Sequence, residues 1–178
     1  ITPYVSNAAM EPATAVASWD KESLTVWWGD RSPFGVRDHL AETFNLSVDM
    51  VRVIAPEVGG AFGTKGSYGI AHEAARLSKA VGRPVRVSLT RQEEFIWSTV
   101  RPAALIEIRS GFNADGTIVA WDYTAYHAGE TAFRGRRGAD TPYNTSNVRI
   151  VTANTEAPLR SGSYRSLGGA LNHFAREV

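Results

Sequence analysis

Residues 50–66 read MVRVIAPEVGGAFGTKG: an apolar run with a strand's character, three glycines, and then a helical pattern starting near Ile70. Whether this strand–loop–helix unit binds a nucleotide decides between a doubly wound parallel sheet and another fold. A P-loop needs four residues between its first glycine and a Gly-Lys-Ser/Thr ending, whereas here Thr64 separates Gly63 from Lys65. The dinucleotide fingerprint fails as well, because Val58 and Ala61 occupy the positions two before Gly60 and two after Gly59. What survives is physical. Residues without Cβ let the backbone approach a ligand, and consecutive amides can hold anionic oxygens. A ligand loop and an ordinary tight connection both remain open on these grounds.

Working outward, Ala13–Trp19 and Leu24–Trp28 read as a hairpin turning at Asp20, Lys21 and Glu22. Ser32 followed by Pro33 is a helix start, with Val36, Leu40 and Phe44 on one face and a stop near Asn45. After the glycine loop, Ile70, Ala74, Leu77 and Val81 mark a second amphipathic helix, closed by Gly82 with Pro84 beyond. Val85, Val87 and Leu89 form a strand, and Thr90 with Glu93 is a capping box. Two long strands turn at NADG (Asn113–Gly116), residues 129–146 form a long loop, Asn147–Thr155 is a last strand, and a helix starts at Gly168. The order predicts an α+β fold with one mixed β-sheet packed with helices.

The 178 residues and 43% hydrophobic content suit a globular domain, or one domain with an appendage. A net charge of +1 advertises neither nucleic acid nor a membrane surface. The absence of cysteine removes disulfides, thiolate metal sites and iron–sulfur ligation from this chain, and the compartment stays open. No apolar run approaches the roughly 20 residues of a membrane span. Starting at Ile1 and ending at Val178 inside a helical pattern, the chain reads as a piece of a longer polypeptide.

Candidate chemistry is sparse. HEAAR (His72–Arg76) ends in arginine where a zinc motif needs histidine. The four histidines, His39, His72, His127 and His173, lack ligand spacing, so they read as surface or hydrogen-bonded residues and no metal ligand is assigned. FRGRRG (Phe133–Gly138) pairs arginines with an aromatic, as single-strand binders do, which gives an alternative reading as a nucleic-acid or protein-binding module. APLRSGSYRSLGG (Ala157–Gly169) is a second glycine- and serine-rich loop between a strand and a helix. There Arg160 and Arg165 either cap neighbouring carbonyls or present a guanidinium to a ligand.

The ordered set MEP (Met10–Pro12), WWGDRSP (Trp27–Pro33), VRVIAPEVGGAFGTKG (Val51–Gly66), GRPVRVSLTRQEEF (Gly82–Phe95), the NADG hairpin and SYRSLGG (Ser163–Gly169) covers nearly the whole chain. It resembles the molybdenum-binding large subunit of the xanthine dehydrogenase and aldehyde oxidase family. The ending RSGSYRSLGGALNHFARE is similar to the branch containing the isoquinoline 1-oxidoreductase beta-subunit. The resemblance implies a molybdopterin-binding-domain-like fold, with residues 1–178 a cofactor-binding fragment of a longer subunit. It implies hydroxylation of an N-heterocycle or aldehyde with water as oxygen source, at molybdenum carried by molybdopterin in its cytosine dinucleotide form. Electrons would leave through 2Fe-2S clusters on a small partner subunit, and the remaining domains of the large subunit would complete the site.

By the same resemblance, Gly60, Ala61, Phe62 and Gly63 line the cofactor, with Phe62 bordering the metal. Arg165, with the amides of Ser166 and Leu167, forms the second loop. Arg165 and Phe62 are the two residues expected at the reaction centre. The chain departs from the family pattern at three positions, the last two of which narrow the substrate. Arg31 replaces a glutamine common in relatives, Gly66 stands where xanthine-specific members place a glutamate, and Ser166 follows Arg165 where carbon-monoxide dehydrogenases carry a cysteine. The family's catalytic glutamate matches nothing in this chain, so the fragment is expected to be inactive alone, and nucleic acid is not an expected partner of that enzyme.

Overall fold

A computed structural model describes residues 1–66, 68–129 and 135–178. The chain divides into two compact units, one of Ala8–Ser98 and one of Ile1–Asn7 with Thr99–Val178. The single sheet expected from sequence is therefore two sheets, one four-stranded and one three-stranded. Each is built the same way. An antiparallel hairpin forms locally, and a later strand joins it in parallel, which needs a crossover that sequence spacing does not reveal.

In the unit Ala8–Ser98, β1 (Thr14–Asp20) and β2 (Ser23–Trp28) form the hairpin, and Lys21 takes a left-handed φ of 55° at its turn. Helix α1 (Pro33–Phe44) carries the chain over to β3 (Val51–Ile54), which pairs in parallel with β2. Helix α2 (Gly69–Val81) returns it to β4 (Val85–Ser88), antiparallel to β1. Helix α3 (Arg91–Trp97) ends the unit. Leu24, Val26, Trp28, Val36 and Leu40 are fully buried in the core, each contributing roughly 1.5–3 kcal/mol by leaving water.

Two local expectations change. The Ser32 side chain does not cap α1. Its amide instead donates to Asp30 Oδ1 at 2.9 Å, and the buried Asp30 also accepts Trp28 Nε1 at 3.2 Å. Helix α2 buries Ala71, Ala74, Ala75 and Ser78, while Val81 is 58% exposed. Small side chains let the helix lie close to the sheet, and Trp19 uses that proximity to donate its indole N–H to the Ala75 carbonyl at 2.8 Å. The helix ends as expected, with Gly82 left-handed, and Thr90 with Glu93 forms the capping box on α3.

In the other unit, β5 (Ala104–Phe112) and β6 (Ile118–Ala128) turn through Asn113–Gly116, with Gly116 at φ 85°, and β7 (Asn147–Thr155) adds in parallel to β6. Thr2 and Val5 bridge to Ala104 and Arg101. Trp121, Tyr123, Ala125 and Ala139 form the core. Helix α4 (Gly168–Glu177) is fastened by Asn172, fully buried, which accepts the Tyr123 hydroxyl at 2.6 Å and donates to the carbonyls of Gly135 and of Arg137, the latter at 3.0 Å. Burial pushes the Tyr123 phenol up to about 12.

Candidate functional site

The first candidate loop runs from β3 into α2. Gly60 has φ 99°, Phe62 φ 48° and Gly63 φ 111°, so three of four consecutive residues are left-handed. For Phe62 that conformation carries a steric cost of roughly 1–2 kcal/mol. Its ring folds back so that a Cβ on Gly60 would lie 2.9 Å from Phe62 Cε2, and it stays 44% exposed. Thr64 closes the turn, its amide and hydroxyl both donating to the Ala61 carbonyl at 2.9 and 3.0 Å. The amides of Gly60, Ala61, Phe62 and Gly63 meet no acceptor among the described residues. Amides without an acceptor among the described residues, on backbone of this kind, suit anionic or carbonyl oxygens.

Gly59 differs from its neighbours. Its amide is spent on Glu11 Oε2 at 3.2 Å, its carbonyl accepts the Glu11 amide at 3.2 Å, and a Cβ there would lie 2.4 Å from Glu11 Cβ. This glycine is required for packing. The same Glu11 oxygen accepts Lys65 Nζ at 2.5 Å, with the lysine only 3% exposed. Burial raises the Glu11 carboxyl's pKa, but hydrogen bonds from Lys65 and the Gly59 amide, with the Lys65 charge, outweigh it and leave the group below its ordinary value.

Residues 9–13 are held on their other flank by α3. Arg91 donates to the Ala9 carbonyl and pairs with the buried Glu94, which accepts the Ala13 amide at 3.3 Å. A Cβ on Gly29 would sit 3.4 Å from Val58 and 3.5 Å from Glu11 Oε2. The segments MEP, WWGDRSP and the glycine loop thus meet at the Glu11 carboxylate, and TRQEEF holds the backbone of the residues flanking it. Sequence reading missed Glu11 and Lys65, and only their places inside MEP and GTKG could have flagged them.

The second candidate loop lies in the other unit, so the two loops are not carried by the single sheet expected from sequence. Its base is fixed by Val100 N–H to the Arg160 carbonyl at 3.0 Å and Gly162 N–H to the Val100 carbonyl at 2.9 Å. A Cβ on Gly162 would lie 2.2 Å from Thr99 Oγ1. Arg101 stacks over the Tyr164 ring at 5.5 Å. Ser166 and Leu167 are left-handed, with φ 71° and 53°. The Leu167 amide is engaged by the Tyr164 carbonyl at 2.8 Å, whereas the Ser166 amide meets no acceptor among the described residues. Arg165 is exposed, and neither it nor Arg160 uses its side chain to cap a carbonyl among the described residues. The guanidinium is available to a ligand.

The remaining candidates resolve differently. His72 stacks on Phe44 at 5.7 Å, and Glu73 pairs with Arg76 on the surface, so HEAAR is structural. His127 is not a surface residue. It is 1% exposed, its Nε2 has no partner among the described residues, and burial lowers its pKa. Among the described residues no group of His, Asp and Glu is arranged to hold a metal, and no helix is long and apolar enough to cross a membrane. Of FRGRRG, Phe133 and Arg134 lie outside the described residues, Arg136 pairs with Asp140 at 3.2 Å, and Gly138 packs on His173.

Residues 1–178 match the molybdopterin cofactor-binding domain family. A nicotinate dehydrogenase subunit of Pseudomonas putida is 31% identical over 98% of this chain and 16% of its own length. The aldehyde oxidoreductase molybdenum-binding subunit PaoC of Escherichia coli is 38% identical over 70% of this chain and 17% of its own. The crystal structure of quinoline 2-oxidoreductase from Pseudomonas putida superposes with a TM-score of 0.89 at 26% identity, covering 99% of this chain and 24% of that one. Aldehyde oxidoreductase from Desulfovibrio gigas shares the fold, with a TM-score of 0.84 at 20% identity. The chain spans less than a quarter of the length of these relatives.

Proposed function

Because the chain belongs to the molybdopterin cofactor-binding domain family, we propose that the full-length protein is the large subunit of a molybdenum hydroxylase that oxidises an N-heterocycle or aldehyde, with water as the oxygen source. The observation that carries this reading is the run of amides from Gly60 to Gly63, unpaired among the described residues and held in largely left-handed geometry beside an exposed Phe62. That donor set fits a pterin cofactor, whose ring carbonyl and phosphate oxygens are acceptors. When bound, the cofactor supplies the redox chemistry and the oxygen-transferring metal.

The chain's own residues bind and polarise. Gly60, Ala61 and Gly63 present amides to cofactor oxygens, and Phe62 supplies an apolar wall that excludes water from the reacting face. The Ser166 amide and the Arg165 guanidinium stabilise negative charge as it develops on oxygen, because preorganised donors cost no reorganisation during reaction. Leu167 shapes the second loop through its turn onto Tyr164. The general base is supplied by a part of the large subunit outside this chain, so the fragment alone is inactive.

A cytosine dinucleotide form of the cofactor and a small 2Fe-2S partner subunit complete the proposed enzyme, together with the other domains of the large subunit. The names of two relatives, nicotinate dehydrogenase and quinoline 2-oxidoreductase, favour an N-heterocycle over an aldehyde. The test uses the full-length protein with its partner. Arg165→Ala should lower turnover of an N-heterocycle about 100-fold or more, the scale of a lost transition-state donor, and Phe62→Ala should lower it without lowering the melting temperature. Unchanged turnover in both variants refutes the site.

A further inference from the structure

We infer that Glu11 and Lys65 are positioning residues that hold the Gly60–Gly63 loop in its cofactor-receiving conformation, an inference that rests on the function proposed above. Left-handed backbone at Gly60, Phe62 and Gly63 persists only where the surroundings over-determine it. Inside the loop the described contacts are few, since Thr64 closes on Ala61 and the amides of Gly60 to Gly63 meet no acceptor among the described residues. The restraint comes from either end. Gly59 is pinned by two hydrogen bonds to Glu11, one to its side chain and one to its backbone, and Lys65 is pinned by its ammonium on the same carboxylate oxygen.

Both pins reach one residue that is itself immobilised. The neighbours of Glu11 are tied to α3 through Ala9 and Ala13, and the chain at Gly29 passes within van der Waals reach of its carboxylate. The loop is thus strung between two anchors, at residues 59 and 65, and cannot shift its amides without breaking a salt bridge whose cation is 3% exposed. An ammonium so buried loses its only described anionic partner if the loop opens, which makes opening costly. Lys65 acts on the ligand through the loop, because its charge is spent on Glu11 and not presented to the ligand.

The experiment uses full-length protein, prepared both with and without cofactor, carrying Lys65→Met or Glu11→Gln. Hydrogen exchange of the peptide spanning residues 56–66 in cofactor-free protein should quicken about 10-fold or more in Lys65→Met, with β1, β2 and α2 unchanged. Molybdenum retained per chain should fall about 10-fold or more, the scale seen when residues supporting a metal site are removed. Glu11→Gln, which keeps an acceptor for Gly59 but loses the charge, should move both readouts in the same direction and less far. It carries the test if Lys65→Met does not accumulate as folded protein.

Wild-type exchange in both variants overturns the inference. Faster exchange with undiminished molybdenum overturns it too, and so does an equal acceleration in β1, β2 and α2, which marks a purely structural pair. If wild-type full-length protein contains no molybdenum or pterin, the function proposed above fails instead, and the clamp stands or falls on exchange alone.

Discussion

Tyr123 gives a stability change whose sign and size follow from burial. The phenol is fully buried, donates to Asn172 Oδ1 at 2.6 Å, and has its pKa pushed from 10.0 to about 12 by desolvation, with the Arg176 charge opposing. The folded state therefore favours the neutral phenol. Stability from this group is complete below pH 10 and is lost as pH rises through about 12. A displacement of about 2 pH units is worth ~2.7 kcal/mol at the limit, of which about 2 kcal/mol is gone by pH 12. Tyr123→Phe cannot ionise, but it leaves Asn172 Oδ1 without its donor, at a cost of about 1–2 kcal/mol at every pH. Urea unfolding followed by circular dichroism should show the wild type more stable by that amount below pH 10. The gap should then close, and the curves should meet between about pH 10.5 and 12. A gap that stays constant across this range would mean that burial does not hold the proton on Tyr123, and the reasoning would fail.

Other expectations concern the two loops. Gly162→Ala places a methyl 2.2 Å from Thr99 Oγ1 and 2.5 Å from Thr99 Cβ, and should lower stability by about 2 kcal/mol; Thr99→Gly in the same chain should recover most of it, and an undiminished loss would place the clash elsewhere. Phe62→Gly should be more stable than Phe62→Ala by roughly 1 kcal/mol in urea unfolding, because glycine tolerates the φ of 48°; equal stabilities would show that the left-handed turn carries no strain. The Glu11 carboxyl, held below its ordinary 4.5, contributes to loop stability above that pH and loses the contribution as pH falls through its lowered value. Cleavage of residues 56–66 by an acid protease should therefore begin at lower pH in the wild type than in Lys65→Met, and coincident onsets would contradict the tie.

What could be read from sequence was local chemistry. The Asn113–Gly116 turn, the Thr90–Glu93 capping box and the Gly82 stop are encoded within a few residues, and each forms as expected. Of the face expected for α2, Ala74 is buried and Ile70 packs on the core, whereas Val81 is exposed and close packing on β1 adds Ala71 and Ala75, which periodicity passes over. The division into two sheets was not legible, since parallel addition of β3 and β7 is decided by contacts distant in sequence. At the site, the glycines gave the loop's permissiveness but not its hold: Glu11 and Lys65 are 54 residues apart, and no spacing rule links them. Gly59 and Gly60 look alike in sequence, yet one is required for contact with Glu11 and the other for its φ of 99°.

The distance along the chain between Glu11 and Gly59 also bears on the order of folding. The 48 residues separating them would be entropically expensive to close in an unfolded chain. The β1–β2 hairpin sets Ala15 opposite Trp28, and β3 sets Ile54 opposite Trp27, so the sheet brings both ends to within about five residues of their meeting point beforehand. The salt bridge then closes a short remaining span after the sheet exists. Lys65→Met should accordingly speed unfolding and leave the refolding rate unchanged, and slowed refolding in stopped-flow measurements would place the bridge earlier. On this reasoning the Gly60–Gly63 loop should set after the sheet of its unit and be released before it.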